Sequence, residues 1–149
     1  MRLRRSTITI VLAVYTALLL VALLAPTSDE QSGMVTWVGG VMADLGLPRW
    51  LSNYKRLEVV MNALIIAPVS FLGSMLRPSI SWRDWTAYGF AASMAVEAIQ
   101  LTLLPGRQAS FSDVVANTLG ALLGAVAFQV GRAVMSAVLP VPARPRTGT

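Results

Sequence analysis

Residues 6–25 read STITIVLAVYTALLLVALLA, an apolar run fronted by Arg2, Arg4 and Arg5 and closed by Pro26. About 20 such residues at 1.5 Å per residue match the ~30 Å hydrocarbon core of a bilayer. A basic front would also suit a secretory signal peptide, but that has a shorter apolar core and a small-residue cleavage site. Here the exit is Leu24-Ala25-Pro26-Thr27, and the proline opposes cleavage, so a retained transmembrane helix is expected.

The same pattern recurs three times towards the C-terminus, over about 57–75, 82–104 and 112–138. Of the 149 residues, 55% are hydrophobic and 13% charged, a balance far from that of a soluble surface. The charges also fall mainly at the segment ends and in the connections. The expected fold is therefore an all-α integral membrane protein, a four-transmembrane-helix bundle forming one domain over residues 1–139. The Pro- and Arg-rich tail 140–149 is expected to be a disordered cytoplasmic extension.

The connections carry their own signals. Within 26–56, the stretch Met34 to Leu51 places Val38, Val41, Met42 and Leu45 at helical spacing, with Trp37 and Trp50 near its ends. That pattern predicts a short interfacial helix in the first outer loop, serving either as a lid over the helix ends or as a substrate-gripping element. Pro68 should kink the second span, with Ser70 near enough to serve a freed carbonyl. Pro105-Gly106-Arg107 ends the third span, and Ser110 or Ser112 can cap the fourth, where Asp113 suits the positive helix end. Gly120-x-x-x-Gly124 in the fourth span is a small-residue face for close helix packing.

The net charge of +5 does not make a nucleic-acid binder, because no basic stripe with interleaved readers is present. The cations flank apolar runs instead. Arg2, Arg4, Arg5, Arg77, Arg83, Arg132, Arg144 and Arg146 fall on one side of a four-span topology, against Arg49, Lys55, Arg56 and Arg107 on the other. Positive-inside bias then places both termini in the cytoplasm.

That topology gathers six polar helix residues at the outer side: Glu58 and Asn62 on span two, Glu97 and Gln100 on span three, Asp113 and Asn117 on span four. Members of each pair are three or four residues apart and share a helix face. Glu97 lies roughly 10 Å from the outer end of its span, where an ionisable group costs about 2.5–3.5 kcal/mol on insertion scales. It should face the bundle and have a partner, and Arg107 in the following turn is the natural one. The alternative is an internal salt bridge with amide bonds from Asn62, Gln100 and Asn117 that only locks the helices.

Cysteine and histidine are absent, which excludes disulfides and thiolate chemistry and argues against zinc and haem, since the remaining candidate ligands are a few carboxylates. No metal and no cofactor is expected, and there is no nucleophile elbow or phosphate loop.

Glu97-Ala98-Ile99-Gln100, Arg107 in the turn, and Asp113-x-x-x-Asn117-x-x-Gly120-x-x-x-Gly124 together resemble the VanZ-like family of bacterial membrane proteins. The match covers about residues 96–124, and Asn62, Pro68 and Gly73 extend it more loosely back to about 58. The resemblance implies a small multi-helix protein of the cell envelope. The founding member is associated with teicoplanin resistance, although the family extends well beyond resistance contexts.

Two classes of function follow. In the first, the site binds or modifies an amphiphile such as a membrane lipid or lipid-linked cell-wall precursor. Glu97 would then be acid or base, Arg107 the grip on phosphate or carboxylate, and Asp113 the group that orients Arg107, with Glu58, Asn62, Gln100 and Asn117 as binding residues. In the second, the protein is a non-catalytic membrane module whose polar cluster is structural, either an interaction partner for envelope machinery or a protein that shields an extracytoplasmic target; an envelope protein or a second copy of the chain is the partner expected. A transporter is disfavoured by the lack of an internal repeat or paired broken helices.

Overall fold

In a computed structural model of the chain, the described residues are 5–24, 29–48, 50, 53–104 and 110–138. They form five helices and no strand: α1 (Arg5–Leu23), α2 (Asp29–Asp44), α3 (Tyr54–Leu76), α4 (Trp82–Leu103) and α5 (Phe111–Val138). Among them α1, α3 and α5 are long and apolar enough to cross a membrane. α4 has 22 residues, but Arg83, Asp84, Glu97 and Gln100 reduce its apolar character. The all-α membrane reading therefore rests on three spans by composition, with α4 comparable to them in length.

α5 is the central helix. It packs on α3 along one side and on α4 along the other, while α1 and α2 both lean on α3. The glycines explain how closely α3 and α5 approach. A Cβ at Gly120 would overlap the Ala63 carbonyl oxygen, and one at Gly124 would overlap the Ala67 carbonyl oxygen and the Ser70 hydroxyl. Gly89 faces Ala121 across the α4–α5 contact in the same way, and the Trp85 ring rests on Gly73 between α3 and α4. The small-residue motif thus brings two backbones together, as membrane helices without a hydrophobic drive between them require.

The interior is built from small and polar side chains. Ala63, Ala116, Ala121 and Ala125 are buried with Ser70, Ser74, Ser93 and Asn117, whereas Val21 is 71% and Phe111 76% exposed. Large apolar groups pointing outward on every side suit a lipid solvent and would be a liability in water.

Local signals set the helix ends. α4 begins with a capping box: the Asp84 amide donates to the Ser81 hydroxyl (3.3 Å), and the Ser81 amide donates to the Asp84 carboxylate (3.0 Å). α2 differs from the sequence expectation, starting at Asp29 and stopping at Asp44, short of Leu51. Gly46 adopts φ +73°, and the Gly46 and Leu47 amides return to the Ala43 and Met42 carbonyls, a glycine-terminated helix end followed by Pro48. Val35 is the buried contact of α2, while Leu45 lies beyond the helix and is 73% exposed.

The Ser70 expectation is also corrected. Pro68 leaves the Leu64 carbonyl without its helical donor, but the Ser70 hydroxyl donates to Ala67 (3.2 Å), beneath Gly124.

Candidate functional site

The six polar residues sit on three helices that the α5-centred packing brings side by side, and each enters a specific interaction. Asn62 of α3 donates from Nδ2 to Asp113 Oδ1 of α5 at 3.0 Å, joining the ends of two closely packed helices. Glu58, one turn before Asn62 and half-buried, lies within charge–charge range of both Asp113 and Lys55. This group is the α3–α5 half of the expected site.

The α4–α5 half is more deeply buried. Glu97 is 8% exposed, and its Oε2 accepts the backbone N–H of Ser110 at 2.7 Å. Ser110 immediately precedes α5, and its carbonyl accepts from the Asp113 amide, so the Glu97 carboxylate is directed at the positive end of α5. The charge expected to need a partner at that depth therefore has at least this charge-assisted hydrogen bond. One turn further along α5, Asn117 Nδ2 donates to the buried Ser93 hydroxyl of α4 at 3.1 Å.

Gln100 was expected to bind neutral polar groups of a ligand. Its Nε2 donates to the Leu23 carbonyl at 2.7 Å, a bond to the last turn of α1, where backbone acceptors lack helical donors. α1 is tied at a second point by the Tyr15 hydroxyl, which donates to the Ile65 carbonyl of α3 at 2.6 Å.

The structure places Glu58, Asn62 and Asp113 along the α3–α5 contact and Glu97, Ser110, Asn117 and Ser93 along the α4–α5 contact, with Asn62 and Asn117 lining one cavity. Arg107 lies outside the described residues, as does the rest of the Pro105-Gly106-Arg107 turn. Ser110 was read only as a possible cap, and the Ser112 hydroxyl now pairs with the Ser110 hydroxyl. Ser93 was missed, yet its signal was present: 93, 97 and 100 follow the i, i+4, i+7 pattern of one helix face.

Beneath α2 a cavity of about 250 Å³ opens among α1, α2, α3 and α5. Its walls are mostly apolar, including Leu19, Leu23, Met34 and Met61, and its polar groups are Asn62 and Asn117. Two amides in an otherwise apolar cleft give the composition of a site for a partly polar, partly hydrocarbon molecule.

Three helices long and apolar enough to cross a membrane, with large exposed apolar side chains around an interior of small and polar residues, are consistent with a helical membrane protein. The VanZ/LLP1 family model matches residues 8–132, and the chain belongs to this family. That span contains all six polar helix residues and both glycines of the α3–α5 contact. No curated protein and no solved structure matches the chain.

Proposed function

We propose that this chain is a multi-pass protein of the bacterial cell membrane that binds the head-proximal part of an amphiphile, such as a lipid-linked cell-wall precursor, at its outer end. In this reading α4 is a further crossing, for four in all, α2 rests in the outer interface, and both termini are cytoplasmic. The cation count supports that orientation. The length of α4 and its packing on the central helix support its crossing.

The observation that carries the proposal is the cavity beneath α2, whose mostly apolar lining includes the polar residues Asn62 and Asn117. Glu97 and Gln100 shape that end of the bundle by holding the start of α5 and the end of α1. Arg107, by its place in the sequence, would supply the grip on a phosphate or carboxylate. A link to glycopeptide resistance rests on the family resemblance alone.

A second reading, a non-catalytic module whose polar groups only fasten helices, is favoured by one specific fact. The Glu97 carboxylate and the Gln100 amide are both buried and both bonded to main-chain groups.

Native mass spectrometry of the purified protein separates the two. The wild type should retain one amphiphile class above the bulk lipid background, and Asn62→Ala combined with Asn117→Ala should lose it while still accumulating in the membrane. Identical bound-lipid profiles for the two proteins would remove the binding reading and leave the module.

A further inference from the structure

A wider cavity, of about 560 Å³, opens where the end of α2 and Trp50 meet the first turns of α3, and it shares no residue with the cavity beneath α2. Met42, Leu57 and Val60 form its apolar side. Among the described residues its charged lining is Lys55 and Arg56, both exposed. The Arg56 side chain is already placed: Nη1 donates to the Trp50 carbonyl at 3.2 Å, and the guanidinium lies over the Trp50 ring, 5.8 Å from its centroid. A guanidinium carries five N–H donors in a planar fork, so this one bond does not exhaust it.

The charge balance of this corner selects an anion. Glu58 lies in charge–charge range of Lys55, but it is outside the lining, ~160° around α3 from Arg56 and within range of Asp113 on α5. Depth selects a lipid. α3 has 23 residues, about 34 Å at 1.5 Å per residue against a ~30 Å hydrocarbon core, so its ends reach the headgroup layers. From Lys55 to Val60 the helix then descends about 8 Å, with the cations at headgroup level and apolar wall below them. A soluble anion would use the cations and leave that wall empty. Topology does not account for these charges either, since Arg49, Lys55 and Arg56 lie on the minority side of the cation count.

We propose that the α2–α3 corner is a binding site for an anionic glycerophospholipid, with its phosphate between Lys55 and Arg56 and the upper part of one acyl chain against Met42, Leu57 and Val60. Arg56 offers paired N–H donors to the phosphate oxygens, and Lys55 a point charge. Trp50 holds the guanidinium in place, which lowers the cost of ordering it. A zwitterionic lipid is disfavoured because its own cation would be brought up to two others. The site does not rest on the amphiphile reading, because the described lining of the cavity beneath α2 offers amides and no cation.

The test is native mass spectrometry of the full chain in detergent, titrated with phosphatidylglycerol or with phosphatidylcholine of matched acyl chains. The wild type should bind the anionic lipid about tenfold more tightly or better. Combined Lys55→Gln and Arg56→Gln should abolish that preference, and Val60→Trp, at a 51% exposed wall position, should weaken phosphatidylglycerol binding with both charges intact. Arg83→Gln, which removes the cation over the Trp82 ring at the start of α4, should keep the preference. Equal binding of the two lipids by the wild type would overturn the proposal, as would an unchanged preference in the Lys55 and Arg56 variant or an equal loss in Arg83→Gln. Val60→Trp decides alone if the charge variant does not fold. Displacement of the lipid by millimolar inorganic phosphate would make this a soluble-anion site and overturn the choice of a lipid. Asn62→Ala with Asn117→Ala should leave the preference intact; its loss there would move the lipid to the cavity beneath α2 and overturn the separate site.

Discussion

Gly124→Leu is expected to remove most of the folded protein from the membrane. The glycine sits where α5 crosses α3 at backbone distance, and any Cβ there meets the Ala67 carbonyl and the Ser70 hydroxyl. A main-chain oxygen inside a helix cannot rotate away as a side chain can, so the two helices must separate. Overpacking of a core costs typically about 1–3 kcal/mol and occasionally more. This substitution should reach or exceed the upper end, because separating α3 from α5 also parts Asn62 from Asp113. Membrane accumulation and the midpoint of denaturant unfolding in detergent measure the effect. Gly131→Leu is the control: a Cβ there has nothing within 4 Å, and its midpoint should match the wild type. Similar losses for both substitutions would show that glycine is not selected by the α3–α5 contact.

Glu97→Gln and Arg107→Ala are expected to abolish the bound-amphiphile signal while the protein inserts and accumulates normally. The physical contrast lies in what each change at position 97 keeps. Glutamine retains an oxygen that can accept the Ser110 amide and removes only the charge. Glu97→Ala removes the acceptor as well and should cost about 1–3 kcal/mol for the amide left unsatisfied. Accumulation and ligand retention should therefore part company in Glu97→Gln and fall together in Glu97→Ala. If Glu97→Gln and Arg107→Ala lose abundance in proportion to retained ligand, the polar groups serve only to fasten the helices.

Both predictions rest on positions that were visible before any coordinates, although their surroundings were not. Gly120 and Gly124 stand out in the sequence as a close-packing face, but the sequence does not say which helix approaches them. Glu97 and Gln100 share a face and were expected at one site, Glu97 as acid or base and Gln100 as a binding residue. In the fold they serve different partners, the start of α5 and the end of α1, because three residues of axial rise and a partial turn direct them at different neighbours. The boundaries of α2 escaped for a local reason. Val38, Val41, Met42 and Leu45 keep helical spacing across Gly46, and only the left-handed backbone at Gly46 shows that the last of them is outside the helix.

Residue pattern alone determined the class of this protein. Apolar runs of bilayer length, cations at their ends, a glycine pair at four-residue spacing and polar pairs on shared helix faces are periodic or compositional properties, set within single segments. Tertiary structure alone decided which segments touch: α5 at the centre, α3 and α4 on either side, and α1 and α2 against α3. Those contacts depend on matched surfaces between residues tens of positions apart. Glu97 and Gln100 moreover each bond to a main-chain group, the Ser110 amide and the Leu23 carbonyl, of a kind that every residue carries and that no sequence pattern marks.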